Sequence, residues 1–257
     1  MQEKKYFFFD IDGTLTDNRT HKIVPSAEKT LHALEKNGHF VAIATGRAHY
    51  KAVSFTNAID IHNLVCAGGG CIARNDKIMY MHALPHDKAV SLLKEADRRN
   101  AGWLVMLDDS DTVVMKDYRF LEQAGRRMEL TSYIYQPDFS YEACDHIYKI
   151  YLALSSQQEG GWISTLGHLR MTQDYLVFQY DEKKKGIEEM MDLLHAPRKD
   201  VVVFGDDTND LVMFDPGWFS IAMGNGNEKL KEKADYVTAA NIDDGIEKAC
   251  RHFGWID

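Results

Sequence analysis

The chain has 257 residues, 45% of them hydrophobic, which is enough to bury the core of one large domain or of two smaller ones. Its 30 basic and 39 acidic residues give a net charge of −9, which disfavours binding to nucleic acid and to anionic membrane surfaces. The apolar run at residues 6–9 is too short for a signal-peptide core, and no apolar stretch could span a membrane. We therefore expect a cytoplasmic protein that acts on a small molecule, with an oligomeric state that the sequence does not predict.

The four cysteines form no CxxC pair and have no histidines at zinc-finger spacing; they are Cys66, Cys71, Cys144 and Cys250. This pattern predicts reduced thiols and argues against a disulfide framework or a structural zinc site.

Short apolar runs alternate with helical patterns in the first and last thirds of the chain. Strands that are buried on both faces are predicted at 6–9, 40–44, 64–66, 201–204, 220–222 and 236–237. Helices are predicted at 26–37, from about residue 48, and at 187–194. This order predicts an α/β fold with a Rossmann-like, doubly wound parallel sheet.

The middle third has a different pattern and is predicted to be an inserted α+β domain at 83–182, between core segments at 1–82 and 183–257. Its predicted strands are 103–107, 113–115, 147–154 and 176–180, and its predicted helices are 87–100 and 117–129. Aromatic residues that could stack on a substrate are Trp103, Tyr133, Tyr135, Tyr141, Trp162 and Tyr175. Most aromatics at strand spacing are core residues, so these are weak candidates.

Acidic or hydroxyl-bearing segments follow three of the predicted parallel strands. These segments are Asp10-Ile11-Asp12-Gly13-Thr14, Thr45-Gly46-Arg47 and Gly205-Asp206-Asp207-Thr208-Asn209-Asp210. Each alone is also typical of an ordinary turn. Because ligands of open parallel sheets bind outside the carboxyl ends of the strands, the three segments together predict one site.

Carboxylates gathered in one place repel each other by about 4 kcal/mol per pair at 4 Å, so a cation is needed among them. Oxygen ligands without imidazole or thiolate favour Mg²⁺ together with a substrate phosphate. A lysine could neutralise further charge, and the run Lys183-Lys184-Lys185-Gly186 offers one. We expect Lys183 and Lys184 to lie in a solvated turn.

In chain order, Asp10–Thr14, Thr45–Arg47, Lys185–Gly186 and Gly205–Asp210 resemble the four ordered motifs of haloacid dehalogenase-like hydrolases. The insertion between the second and third motifs resembles the C2B cap of the Cof-type sugar phosphatases, subclass IIB. Residues 222–226 and 234–238 resemble the closing segments of that branch. The resemblance covers nearly all of the core and little of the cap.

The resemblance implies that Asp10 attacks phosphorus and that Asp12 protonates the leaving oxygen and later activates water. The phosphoryl group would be held by Thr45, Gly46 and Lys185. Ligands of Mg²⁺ would be the Asp10 side chain, the Asp12 backbone carbonyl and Asp206. The substrate would meet Arg47 and Asn209, although Arg47 could instead form a surface salt bridge. Near the metal would lie Asp210 and Asp207.

Two positions depart from the family pattern, which usually has Gly at Asp207 and Asn-Gly at Ala67-Gly68. Asp207 could join the site or face solvent. The glycine run that continues to Gly70 could be a tight turn or a loop on the substrate side.

The predicted activity is magnesium-dependent hydrolysis of small phosphorylated metabolites, with sugar phosphates as the first candidates, through an aspartyl-phosphate on Asp10. A phosphomutase with the same core chemistry and a non-catalytic sugar-phosphate sensor remain alternatives. A response-regulator receiver domain also uses a phosphorylated aspartate, but it is about half this length and carries that residue on a later strand.

Overall fold

The chain folds into two units, and each has its own sheet. This computed structural model describes residues 3–158, 162, 166–170 and 172–257. The first unit comprises Met1–Tyr80 and Glu182–Asp257, and the second unit comprises Met81–Asp181. The insert predicted at 83–182 therefore starts two residues later and ends one residue later than the second unit.

The helices and strands of the described residues alternate along most of the chain. The strands are β1 (Tyr6–Phe9), β2 (Phe40–Ala44), β3 (Asn63–Cys66), β4 (Cys71–Arg74), β5 (Lys77–Met81), β6 (Trp103–Met106), β7 (Thr112–Met115), β8 (Ser132–Tyr135), β9 (Lys149–Ala153), β10 (His168–Arg170), β11 (Tyr175–Gln179), β12 (Val201–Gly205), β13 (Phe219–Ala222) and β14 (Tyr236–Val237). The α-helices are α1 (Pro25–Lys36), α2 (His49–Ala58), α3 (His86–Arg98), α4 (Arg119–Ala124), α5 (Lys183–Leu193), α6 (Glu228–Lys233) and α7 (Gly245–His252). Short 3-10 helices lie at Ala67–Gly69, Tyr141–Ala143, Arg198–Asp200, Thr208–Met213 and Asn241–Asp243.

The first unit contains an eight-stranded sheet in the order β14-β13-β12-β1-β2-β3-β4-β5. All strand pairs from β14 to β3 are parallel, and β3 pairs antiparallel with β4. The structure thus confirms the predicted Rossmann-like parallel core. The strands β4 and β5 were not predicted from the sequence, although both contain short apolar runs; β4 is mostly buried and β5 is largely exposed.

Helices cover both faces of this sheet, and β1 shows how the sequence achieves it. Successive strand residues point to opposite faces. Phe8 packs in a cluster with Ile187 and Met190 of α5, whereas the Phe7 ring meets the Trp255 ring on the other face at a centroid distance of 5.0 Å. Both phenylalanines are fully buried. A strand covered on both faces needs apolar residues at every position, which explains the run Phe7-Phe8-Phe9.

The register of the central strands brings three chain segments to one edge of the sheet. Phe9, the last residue of β1, lies opposite Phe204 of β12 and Ile43 of β2. The backbone N–H of Asp10 donates to the Phe204 carbonyl at 3.0 Å. The residues that follow β1, β2 and β12 therefore emerge side by side, as the sequence predicted from the parallel order.

The second unit has a six-stranded sheet in the order β10-β11-β9-β6-β7-β8. Its strand pairs are antiparallel except for β7 with β8. The apolar stripe of α3 packs in the core of this unit through Leu92 and Leu93. The helix predicted at 117–129 is wrong in its extent: α4 ends at Ala124 because Gly125 adopts φ +75°, outside the helical region.

Three of the candidate aromatics lie in the core of the second unit. Trp103, Tyr141 and Tyr175 are buried. The indole N–H of Trp103 and the hydroxyl of Tyr141 both donate to the carboxylate of Asp97, at 3.0 and 3.2 Å. Packing and these hydrogen bonds account for the three side chains without a substrate.

In the part of the chain that the structure describes, no helix is both long and apolar enough to cross a membrane. The cytoplasmic location stays a prediction.

Candidate active site

Asp10 follows β1 directly and is buried, with its backbone fixed to β12. The chain then forms a tight loop in which the Ile11 carbonyl accepts hydrogen bonds from the backbone N–H of Leu15 and of Thr16, at 3.0 and 2.9 Å. Asp12 lies on the outside of this loop, and about half of its side chain is exposed. The two aspartates thus occupy different surroundings, one buried among charges and the other open to solvent.

Lys183 provides the positive charge of the site. Its ammonium donates to Asp10 Oδ1 at 2.8 Å and to Asp210 Oδ1 at 2.6 Å, and its side chain is only 1% exposed. Lys183 is the first residue of α5, whose helical turn places it on the buried face together with Ile187 and Met191. A buried ammonium between two carboxylates joins the strand ends of β1 and β12.

This position corrects the sequence-based assignment of the lysine. Lys183 was expected in a solvated turn and Lys185 at the phosphate, but the Lys185 side chain is 54% exposed and lies 3.7 Å from the Glu182 carboxylate. A helix advances about 100° per residue, so two residues move a side chain to the other face. The signal was present in the sequence, because extending the stripe at 187, 190 and 191 back by one turn reaches Lys183.

Asp206 and Asp210 complete a buried acidic cluster with Asp10, in which ligand oxygens of all three residues lie within 4.8 Å of one another. Both carboxylate oxygens of Asp210 are hydrogen-bonded within the protein. Its Oδ2 accepts from the backbone N–H of Asp206 at 3.0 Å, and its Oδ1 accepts from Lys183. Asp206 Oδ1 accepts from the Thr14 hydroxyl at 3.0 Å. Asp210 therefore orients the loop, while Asp10 and Asp206 each retain an oxygen for a ligand.

The neighbouring residues of this loop face outward. The Asp207 carboxylate is exposed and accepts from the backbone N–H of Thr208 at 2.7 Å, which caps the 3-10 helix Thr208–Met213. Asn209 is also exposed. The structure answers the question that the sequence left open for Asp207, whose side chain faces solvent and stabilises a helix start.

Burial and the charges within the cluster shift the pKa values of its members. Burial raises the pKa of the Asp206 carboxyl to about 7, and the negative charge of Asp210 adds to this effect. Burial also raises the pKa of Asp10, again with a contribution from Asp210, while Lys183 opposes the shift. Burial alone would lower the pKa of the Lys183 ammonium. The carboxylates of Asp10 and Asp210 outweigh this effect and raise that pKa above its usual value. Three carboxylates around one ammonium leave an excess of negative charge.

Thr45 and Arg47 follow β2 at the same edge of the sheet. Thr45 is buried, and its hydroxyl oxygen accepts from the backbone N–H of Arg47 at 3.2 Å. Gly46 between them is partly exposed. The Arg47 guanidinium binds the Asp12 carboxylate with both ends, through Nε to Oδ2 at 3.0 Å and Nη2 to Oδ1 at 2.5 Å. This bidentate pair fixes the orientation of Asp12.

Two glycine positions allow the loops to approach this closely. Gly13 has φ +88°, and a methyl group there would lie 2.0 Å from Asp206 Oδ2. A methyl group on Gly69 would lie 2.4 Å from the Glu182 carbonyl, immediately before α5. The glycine run is thus a buried turn that seats the start of α5, and Gly68 accepts the Glu182 N–H at 2.7 Å.

The acidic cluster fits a hard divalent cation. It offers oxygen ligands only, it is buried, and its three carboxylates exceed the single ammonium. Mg²⁺ is usually bound in proteins by one or two carboxylates together with water and substrate phosphate. Asp10 and Asp206 match this donor set.

Comparison with known proteins identifies the family. A sequence model of haloacid dehalogenase-like hydrolases matches residues 7–250. The chain belongs to this family. The hydrolase is 30% identical to YkrA of Bacillus subtilis strain 168 over 98% of both chains. It is 26% identical to a phosphoglycolate phosphatase of Methanothermobacter thermautotrophicus, over 96% of this chain and 97% of that protein.

The fold of this hydrolase is similar to that of the subclass IIB sugar phosphatase BT4131. The two structures superpose with a TM-score of 0.75 at 24% identity, over 98% of this chain and 100% of the other. These comparisons confirm the predicted family of haloacid dehalogenase-like hydrolases and the predicted class of enzyme, a phosphatase. The receiver-domain alternative is wrong, because the family match spans both the core and the insert.

Proposed function

We propose that this phosphatase hydrolyses phosphate monoesters of small metabolites, with sugar phosphates as the first candidates, through an aspartyl-phosphate on Asp10 and with Mg²⁺ as cofactor. The observation that carries the proposal is the buried Lys183 ammonium between Asp10 and Asp210 at the carboxyl ends of β1 and β12. Such a site combines a nucleophile with a fixed positive charge, which is what phosphoryl transfer requires.

In the first step, an oxygen of Asp10 forms a bond to phosphorus while the bond from phosphorus to the leaving oxygen breaks. Asp12 gives its proton to that oxygen, and the alcohol departs. In the second step, Asp12 takes a proton from water, whose oxygen attacks phosphorus and releases Asp10 and inorganic phosphate. The same residue serves as acid and then as base, because the first step leaves it deprotonated.

The roles of the other residues follow from their charge and position. Lys183 neutralises part of the negative charge on the Asp10 side of the phosphoryl group, and Thr45 and Gly46 are proposed to contact its oxygens. When bound, Mg²⁺ would neutralise charge on the phosphoryl group and bring it close to Asp10. Asp10, Asp206 and the Asp12 carbonyl would hold it, and Asp210 would keep Asp206 and Lys183 in place.

The substrate class is supported by relatives and not by a contact in the structure. BT4131 is named a sugar phosphatase, and another relative is named a phosphoglycolate phosphatase. Both names describe enzymes whose substrates are small anionic phosphate esters. We propose substrates of this size and charge, with Arg47 close to the leaving group through its partner Asp12.

The test measures phosphate release from p-nitrophenyl phosphate, sugar phosphates and phosphoglycolate, with Mg²⁺ or with EDTA. Variants are Asp10→Asn and, as a matched control, Asp192→Asn, which removes an exposed carboxylate that is paired with Arg198. Turnover that requires both Mg²⁺ and Asp10 and survives in Asp192→Asn supports the proposal. Turnover that persists in Asp10→Asn would overturn it.

The covalent step and the two alternatives have their own readout. Asp12→Ala should accumulate protein that is heavier by one phosphoryl group after mixing with p-nitrophenyl phosphate, because p-nitrophenolate leaves without a proton from Asp12 whereas the second step lacks its base. Isomerised sugar phosphate without free phosphate would indicate a mutase. Substrate binding without any product would indicate a sensor.

A further inference from the structure

Two asparagines near the C-terminus support the loop that follows β1. Asn225 Nδ2 donates to the Gly13 carbonyl at 2.8 Å, and Asn225 Oδ1 accepts from the backbone N–H of Asn241 at 2.8 Å. Asn241 Nδ2 donates to the Thr16 carbonyl at 2.7 Å. The two carbonyls of this loop are therefore held by side chains more than 200 residues away in sequence.

The held carbonyl of Gly13 lies at the point where the loop touches Asp206. Gly13 takes a left-handed backbone conformation, and a methyl group at Gly13 would lie 2.0 Å from Asp206 Oδ2. The next residue, Thr14, donates its hydroxyl to Asp206 Oδ1 at 3.0 Å. Fixing the Gly13 carbonyl fixes the plane of the peptide that joins Gly13 to Thr14, and with it the position of the Thr14 Cα from which the hydroxyl side chain extends.

We infer that Asn225 is a positioning residue for the metal-binding oxygens of this phosphatase, acting through Gly13 and Thr14 on Asp206. Asn241 assists by holding the Oδ1 end of the Asn225 amide. The inference rests on the proposed Mg²⁺ site. It assigns a role to the segment 222–226, for which the sequence offered only a resemblance.

Hydrogen-bonded partners of metal ligands set ligand orientation, and their loss typically weakens metal binding about 10-fold to 100-fold. Asn225 acts one step further away, through a peptide plane and a hydroxyl. We expect Asn225→Ala to raise the Mg²⁺ concentration for half-maximal effect about tenfold, at the low end of that range. Excess Mg²⁺ should restore most of the activity, because Asp10 and Lys183 are untouched.

Asn63 offers a matched control with the same hydrogen-bond pattern. Its Nδ2 donates to the Val41 carbonyl at 3.0 Å, and its Oδ1 accepts from the backbone N–H of Asn75 at 3.3 Å. Asn63 is the first residue of β3, at the amino end of the parallel strands and thus at the edge opposite to the site. Asn63→Ala removes equivalent hydrogen bonds from the fold without touching the loop after β1.

The experiment titrates Mg²⁺ into the purified full chain and measures Mg²⁺ binding by isothermal titration calorimetry. In parallel, phosphate release is recorded as a function of Mg²⁺ concentration, and the thermal midpoint is recorded without metal. Asn225→Ala should bind Mg²⁺ about tenfold more weakly, while Asn63→Ala should lose thermal stability but keep wild-type Mg²⁺ affinity. Should Asn225→Ala not fold, Asn225→Ser serves instead, since its shorter side chain cannot span both partners.

An unchanged Mg²⁺ affinity in the folded Asn225 variant would overturn the inference, and so would an equal loss in Asn63→Ala. Failure of the proposed function looks different, because the wild-type chain itself would then neither bind Mg²⁺ nor depend on it for turnover.

Discussion

The Lys183 ammonium lies 2.8 Å from Asp10 Oδ1, inside the protein and with Asp210 on its other side. This contact joins the start of α5 to the end of β1 and determines which of three consecutive lysines belongs to the site. Replacing Lys183 by Met would leave three neighbouring carboxylates without their cation. We expect Lys183→Met to lower kcat about 100-fold or more and to destabilise the protein by about 3 kcal/mol or more.

The control for this prediction is Lys185→Met, on the exposed face of the same helix. Steady-state kinetics and urea unfolding of both variants provide the measurement. Loss of activity in Lys185→Met with full activity in Lys183→Met would restore the assignment made from the sequence.

Gly13→Ala and Gly38→Ala form a pair that separates backbone strain from damage to the site. Both glycines have a positive φ, +88° and +86°, so each alanine pays about 1–2 kcal/mol for a left-handed conformation. At Gly38, apart from its two chain neighbours, no atom of the described residues lies within 4 Å of the new methyl group, whereas at Gly13 the methyl group would meet Asp206 Oδ2. We expect Gly38→Ala to retain activity and Gly13→Ala to lose Mg²⁺-dependent turnover. Kinetics together with thermal midpoints test this, and equal behaviour of the two would contradict it.

The acidic cluster predicts how stability depends on pH and metal. The pKa of Asp206 is raised to about 7 and that of Asp10 is raised in the same direction, both from 3.8. The stability linked to these groups is therefore full below about pH 4 and is lost as the pH rises through the folded-state values. Mg²⁺ binds the deprotonated carboxylates, so it should raise the thermal midpoint more at about pH 8 than at about pH 6.

Thermal scans with and without Mg²⁺ at both pH values provide that measurement. Asp206→Asn should reduce the effect of Mg²⁺ at each pH, because it removes one of the proposed ligands. An increase in thermal midpoint that is the same at both pH values would contradict the assignment of the cluster to the metal.

Ala67 carries a local strain that one substitution should relieve. Its φ is +51°, a left-handed value that disfavours alanine, and its backbone N–H donates to the Arg47 carbonyl at 2.6 Å. Glycine adopts this conformation without a penalty, so Ala67→Gly should stabilise the protein by about 0.5–1 kcal/mol. Ala33→Gly is the control and should destabilise by about 0.5–1 kcal/mol, because Ala33 lies inside the helix α1. Chemical unfolding measures both.

Arg47 should matter through its geometry as well as its charge. Lysine keeps the charge but cannot bind the Asp12 carboxylate with two ends. We expect Arg47→Lys to lower kcat about tenfold, because a poorly oriented Asp12 would lose part of the rate enhancement that its proton transfer provides. Arg198→Lys is the matched control, since Arg198 binds the exposed Asp192 carboxylate with one nitrogen to both oxygens, at 3.3 and 3.2 Å. Wild-type kinetics in Arg47→Lys would show that the pair is not needed for turnover.

The sequence by itself determined the parallel core and the positions of Asp10, Thr45 and Asp206. Each of these residues follows an apolar run, and strands buried on both faces must be apolar at every position. Once those strands are parallel and adjacent, their carboxyl ends meet, whatever the details of side-chain packing. The insert could also be predicted from the sequence, because its pattern of strands and helices differs from the alternating pattern of the core.

Only the tertiary structure decided which lysine enters the site, how Arg47 pairs with Asp12, and that Asn225 reaches the loop after β1. These relationships depend on the phase of a helix and on contacts between residues far apart in sequence. A one-residue change in where a helix begins turns its side chains by about 100°, which local composition does not specify. Hydrogen bonds between distant loops leave no periodic signal at all, because they arise from how the folded elements are placed in space.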